Sequence, residues 1–153
     1  MSYVNSVLQP GETIKAIGKL HWIIFIRAFV LLVAGIVLLI YASSMTTQLG
    51  FALRMVGWAV LALALLAALQ AWFMQSITEL AITDRRVIYK RGFLSRRTIE
   101  MNMAKVETVD VQQSIFGRLL GFGTIRVRGT GQGIENLTGV AAPIALRNAI
   151  TAR

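Results

Sequence analysis

The chain contains no cysteine and one histidine, His21, among its 153 residues. Disulfides, thiolate metal sites and cysteine nucleophiles are therefore excluded, and a histidine-rich metal site or proton relay has nothing to be built from. Acidic residues are also scarce, seven against sixteen lysines and arginines, which leaves a net charge of +9. The stretch Ala42 to Gly50 has no charge at all. At this length there is room for a helical hairpin and one domain of about 80 residues, and no more.

What is present in excess is apolar sequence. The hydrophobic fraction is 56% and the mean hydropathy is +0.64, too high for an ordinary soluble domain. The excess lies in two runs, Trp22 to Tyr41, broken by Arg27, and Phe51 to Met74, with Arg54 near its start and Gln70 near its end. Each approaches the roughly 20 residues that a helix rising about 1.5 Å per residue needs to cross a core of about 30 Å. The expectation is a transmembrane hairpin. A cleaved signal peptide is disfavoured, because the first run exceeds the usual apolar length of about 7–15 residues and a long segment precedes it.

The flanking charges set an expected topology. Lys15, Lys19 and Arg27 mark the start of the first run, and Arg85, Arg86, Lys90 and Arg91 follow the second. With no base in the connecting loop, the positive-inside rule places both ends in the cytoplasm and the short loop outside. Arg27 and Arg54 lie near helix ends and can snorkel to the headgroups. Trp22, Tyr41, Phe51, Trp72 and Phe73 fall where interfacial aromatic rings sit. The second run carries a stripe of mostly small residues at three- and four-residue spacing, Gly57, Val60, Ala64, Ala67, Ala68 and Ala71, a face that lets another helix approach closely. That helix is either the first run of the same chain or one from another protomer or membrane protein.

From Ile77 the pattern turns to short strands, after a connector of only Met74 to Ser76. Glu79–Thr83 and Val87–Tyr89 flank the turn-prone Asp84-Arg85, and Gly92-Phe93 precedes a strand at Arg96–Met101. Lys105–Gln112 alternates, with Val109 and Val111 on one face. Ser114 is placed to cap a short helix ending at Gly121. Thr124–Arg128 alternates with Ile125 and Val127 inward, and a further strand is expected near Ile134–Val140. After Pro143 a closing helix brings Ile144 and Ile150 toward the core. The segment from Gly11 to Leu20 has the alternation of a strand that can join a sheet edge. The domains are then residues 1–21, the hairpin 22–74 with helices about 22–41 and 51–74, and a cytoplasmic domain 77–153. The fold class is an α+β membrane protein, a transmembrane hairpin plus a small antiparallel barrel or sandwich with a C-terminal helix.

Several of these segments, in order, resemble the membrane-anchored bacterial pleckstrin-homology-like (PH) domain family. They are Ala81 to Tyr89 (AITDRRVIY), Gly92 to Arg97 (GFLSRR) and Gln113 to Thr124 (QSIFGRLLGFGT), with Gly11-Glu12 and His21-Trp22 ahead of the hairpin. The chain departs from the family at Ala142-Pro143, where an Asp-Pro is common. The resemblance implies a PH-like fold used as a membrane-associated binding module, with no established enzymatic activity and no general set of functional residues.

The domain from Ile77 onward holds twelve bases and six acids, a net charge of +6. Near an anionic inner leaflet each base contributes roughly 1 kcal/mol of attraction. The candidate lipid-facing residues are Arg85, Arg86, Lys90, Arg91, Arg96, Arg97, Arg126 and Arg128, to be weighed against a merely solvated face. The helix-packing candidates are Gly57, Ala64, Ala67, Ala68 and Ala71. The glycines from Gly121 to Gly133 lack the Gly-Lys-Ser/Thr of a phosphate loop and read as turns. The acids Glu79, Asp84, Glu100, Glu107, Asp110 and Glu135 are scattered, so no carboxylate pair suggests catalysis. His21 beside Trp22 fits an interfacial polar contact. No aromatic-rich basic motif points to nucleic acid, and neither run has a polar stripe to line a pore.

The expected function is therefore a non-enzymatic scaffold or binding domain held at the inner-membrane surface. It would use no metal or cofactor and would bind a protein partner, its own copies or anionic lipid. The alternative is an accessory subunit of a larger membrane complex, of transporter or protease type, docking through its transmembrane helices.

Overall fold

The computed structural model describes residues 7–92, 97–130 and 136–152, with the backbone alone at Arg91 and Arg97. The chain divides into two compact units, the helical stretch Trp22–Met74 and a β-rich unit that joins the residues up to His21 with those from Gln75 onward.

In the helical unit a 3-10 turn at Trp22–Phe25 leads into α1, Ile26–Ser43, and α2 follows at Gln48–Ile77. Both are long and apolar enough to cross a membrane. α2 outruns its apolar stretch at both ends, and no proline interrupts it before Ile77. Gln75 and Ser76, expected as a connector, are its last turn. The buried residues of α1 are Ala28, Gly35 and Ala42, and those of α2 are Gly50, Gly57, Ala64 and Ala71. Both sets recur every seven residues, the repeat that keeps one seam facing a partner helix. A Cβ on Gly57 would lie 2.6 Å from Leu39 Cδ2, and one on Gly35 would lie 2.6 Å from Leu61 Cδ2. Each leucine thus fills the notch left by a glycine of the other helix.

The β-rich unit contains two antiparallel sheets. The first has the order β1-β2-β3-β4: Ile14–Gly18, Glu79–Thr83, Arg86–Arg91 and Arg97–Asn102. The second has the order β5-β6-β7: Val106–Gln112, Phe122–Gly129 and Leu137–Ala141. A short helix, α3 (Ile115–Leu120), precedes β6, and α4 (Pro143–Thr151) closes the chain. Alternation accounts for the core. Leu80, Ile82, Val87, Tyr89 and Met101 of the first sheet meet Ile125, Val127, Leu137 and Val140 of the second. Leu146 and Ile150 of α4 complete the cluster.

One expectation is narrowed and one corrected. Of the barrel or sandwich expected, the strands form two sheets and do not close into a barrel. Among the described residues only an isolated bridge, Leu20 to Val140, links the edge of the first sheet to the second. Ile144 is no core residue but 53% exposed. Ala142 adopts a left-handed backbone (φ 47°), and α4 then turns Pro143, Leu146 and Ile150 inward. The strand expected from Ile134 begins at Leu137, and the turn glycines Gly131 and Gly133 lie outside the described residues.

Candidate binding surface

Gln9-Pro10-Gly11-Glu12 forms a tight turn, closed by Glu12 N donating to Gln9 O at 2.9 Å. Gly11 has φ 79°, the positive angle that a type II turn demands at its third position and that glycine takes without strain. The turn delivers the Glu12 side chain, fully shielded from solvent, onto the first sheet. There Arg86 grips it with two parallel bonds, Nε to Oε1 at 3.0 Å and Nη2 to Oε2 at 2.8 Å. The remaining donors of Arg86 reach Glu100 Oε2 at 2.7 Å and the Val7 carbonyl at 2.9 Å. Gln9 N also donates to Glu12 Oε2, at 2.9 Å. The Thr83 hydroxyl lies 2.7 Å from Glu12 Oε1 and 2.8 Å from Arg86 O, and its single proton serves one of them at a time.

The bonds from Arg86 outweigh the burial that opposes them and pull the Glu12 carboxyl down from 4.5 to about 2. The same contacts push Arg86 above its ordinary value. Such a pair holds no exchangeable proton near neutrality. It is a clamp tying the N-terminal segment to β2, β3 and β4.

Arg86, one of the candidate lipid-facing bases, has two carboxylates on its guanidinium and only 16% of its side chain exposed. Arg85 remains outward, with 54% of its side chain exposed and Asp84 at 3.9 Å. Lys90 stands opposite Glu79, and Arg91 opposite Arg97, in the register of the first sheet. Arg96 lies outside the described residues. Arg126 and Arg128 belong to the second sheet, opposite Asp110 and Thr108, and Arg126 Nε donates to Asn136. The described bases of this set are thus spread over both sheets and the β2–β3 turn, several beside acids. Of the helix-packing candidates, Gly57, Ala64 and Ala71 are buried and Ala67 and Ala68 half-buried within the hairpin. Part of this face packs against α1 of the same chain, where Leu39 lies over Gly57.

A feature not anticipated from the sequence is the surface of α3. Its four large apolar side chains, Ile115, Phe116, Leu119 and Leu120, all point to solvent, as does Arg118. The pattern Ile-Phe-Gly-Arg-Leu-Leu suggested a capped helical turn, and the cap is present. Ser114 Oγ accepts from Gly117 N at 3.0 Å, and Gly121 ends the helix at φ 75°. Among the described residues, one open cleft of about 480 Å³ lies among Lys15, Asp84, Met103 and Ile150, and another of about 370 Å³ lies among Ile17, Leu20, Gln75 and Thr78. Among the described residues, no cluster of three or more metal-ligating side chains occurs.

Two sheets of four and three antiparallel strands with a closing helix carry this surface, and the bacterial PH domain family matches residues 16–153. The chain belongs to the bacterial PH domain family. No match is found among curated proteins or solved structures. PH domains are in general binding or scaffold modules without catalysis of their own, and bind proteins or lipids. The matched span of this PH protein starts inside β1 and includes both long apolar helices.

Proposed function

We propose that this PH protein is a non-enzymatic, membrane-anchored binding module, with its hairpin in the bacterial inner membrane and both ends in the cytoplasm. There its PH-like domain would meet a protein partner, further copies of itself or anionic lipid. The observation that carries this reading is the pairing of β1 with β2. Gly18 and Leu80 are neighbours in one sheet although the whole hairpin lies between them. If α1 and α2 cross a bilayer, the chain must leave and return on the same side, which agrees with the charges at the two flanks. Exposure supports the crossing, since only 11% of each apolar window is buried. The core helix of a water-soluble protein would be mostly covered.

The absence of cysteine makes a direct test available. Single cysteines at Thr46 in the loop and Glu107 in the domain are probed in spheroplasts with a membrane-impermeant maleimide. The expected outcome is labelling at Thr46 in intact spheroplasts and at Glu107 only after permeabilisation. Labelling of both from outside would overturn the topology. For the binding role, the assembly purified in native lipid discs should contain a second protein, several copies of the chain, or enriched anionic lipid. A lone copy in unselected lipid would sink it.

A further inference from the structure

The apolar face of α3 needs an occupant, and we infer that it is the bilayer itself: Ile115, Phe116, Leu119 and Leu120 form a preformed wedge seated in the headgroup region of the anionic leaflet. This rests on the membrane-anchored reading above and moves the principal lipid contact away from the arginine-rich strands. Exposures of 85% at Ile115, 72% at Phe116 and 81% at Leu119 are far from those of the core, where Ile125 is at 0%. A cluster of large apolar side chains turned to water marks a site of association.

The backbone beneath the wedge is built to hold it out. Besides the caps at Ser114 and Gly121, Gln113 Nε2 donates to Phe122 O at 3.1 Å and to Gly117 O at 3.4 Å. A Cβ on Gly117 would lie 2.7 Å from the Phe122 carbonyl, so only glycine lets the turn sit this close to β6. The order is established before any partner arrives.

Position and charge select the bilayer. Phe122, two residues beyond Leu120, stacks on His21 with ring centres 5.4 Å apart. His21 N donates to Gly139 O at 2.6 Å, and Ala142 N donates to Gly121 O at 2.8 Å. The end of α3 is therefore fastened to the residue directly before Trp22, where the first apolar stretch begins. Arg118 projects from the same helix, and no acid occurs from Gln113 to Thr124. Apolar side chains around a base suit an anionic interface, with the rings and aliphatic groups about 5–10 Å into the boundary and the guanidinium among phosphates.

The test uses the full chain with Leu119→Cys carrying an NBD fluorophore, reconstituted in phosphatidylcholine vesicles containing phosphatidylglycerol. Glu107→Cys is the water-exposed reference. The expected result is a blue-shifted emission several-fold brighter than the reference and quenched by lipids brominated near the headgroup. Water-like emission from protein that still floats with the vesicles would overturn the wedge while leaving the anchor intact. Protein that does not float would overturn the anchored reading itself. A shift that vanishes when the protein is diluted with lipid would assign the face to a second copy and overturn the proposal. Leu119→Ser should leave thermal unfolding unchanged, which separates the lipid contact from a role in folding.

Discussion

At the scale of single residues, Glu12 and Arg86 decide the most. The Glu12 side chain is fully buried and its partner is a bidentate guanidinium. Removing one member of a buried pair leaves the other desolvated and unpaired, at a cost of about 3–5 kcal/mol. Arg86→Ala should therefore lower stability by that order in denaturant unfolding, whereas Arg85→Ala, at an exposed site, should change it little. The same pair predicts a pH response. The folded carboxyl titrates at about 2 instead of 4.5, so the unfolded chain binds this proton more readily. The stabilisation is complete above the ordinary value and is lost as pH falls from 4.5 toward 2. Glu12→Gln should flatten that acid limb, and an unchanged melting profile between pH 5 and 3 would refute the clamp. Charge counting placed Arg86 with its basic neighbours. Its true partner is 74 residues away, beyond any local pattern, and Pro10-Gly11 before a lone acid was the only local sign.

At the scale of elements, patterns of short period were legible and those created by tertiary contact were not. Alternation located β2, β3, β5 and β6 because one face of each meets the core. The small residues of α2 were visible as small-xxx-small pairs, but their role depended on a matching seven-residue set in α1, Ala28, Gly35 and Ala42. Only the two sets together indicate an antiparallel pair closed on itself. Gly57→Leu should force α1 and α2 apart, since even a Cβ would approach Leu39 to 2.6 Å. The expected loss is about 1–3 kcal/mol, read as a lower melting temperature in detergent, with Ala59→Leu on the exposed side as the neutral comparison. Equal melting of the two would mean the seam is not a packed interface. α3 was legible as a capped turn. Its outward face was not, because a burial pattern is a property of the neighbours, and six residues are too few for a periodicity that marks one face.

At the scale of the whole molecule, the hairpin is an insertion between two adjacent strands. The core of the PH-like domain draws Ala16 and Leu20 from before the helices and Leu80 and Ile82 from after them. The domain therefore cannot be completed until the chain has traversed both helices and returned. Hairpin formation is accordingly placed ahead of domain closure in assembly, because β1 has no sheet to join before β2 exists. The two flanks also stay close at the far end, where Gln75 Nε2 donates to Leu20 O at 3.3 Å. Replacing Trp22 to Met74 by six glycine and serine residues, which reach about 20 Å when extended, should convert β1 and β2 into an ordinary hairpin. The expected product is a folded unit that unfolds cooperatively and has lost the helical signal of α1 and α2. If α3 is a lipid wedge, that unit should bind anionic vesicles reversibly, because a few side chains and a local positive charge give only marginal anchoring. Leu119→Asp should then release it without changing its unfolding. A linker variant with no cooperative transition would instead show that the hairpin contributes to the domain's stability, and the two units would have to be treated as one.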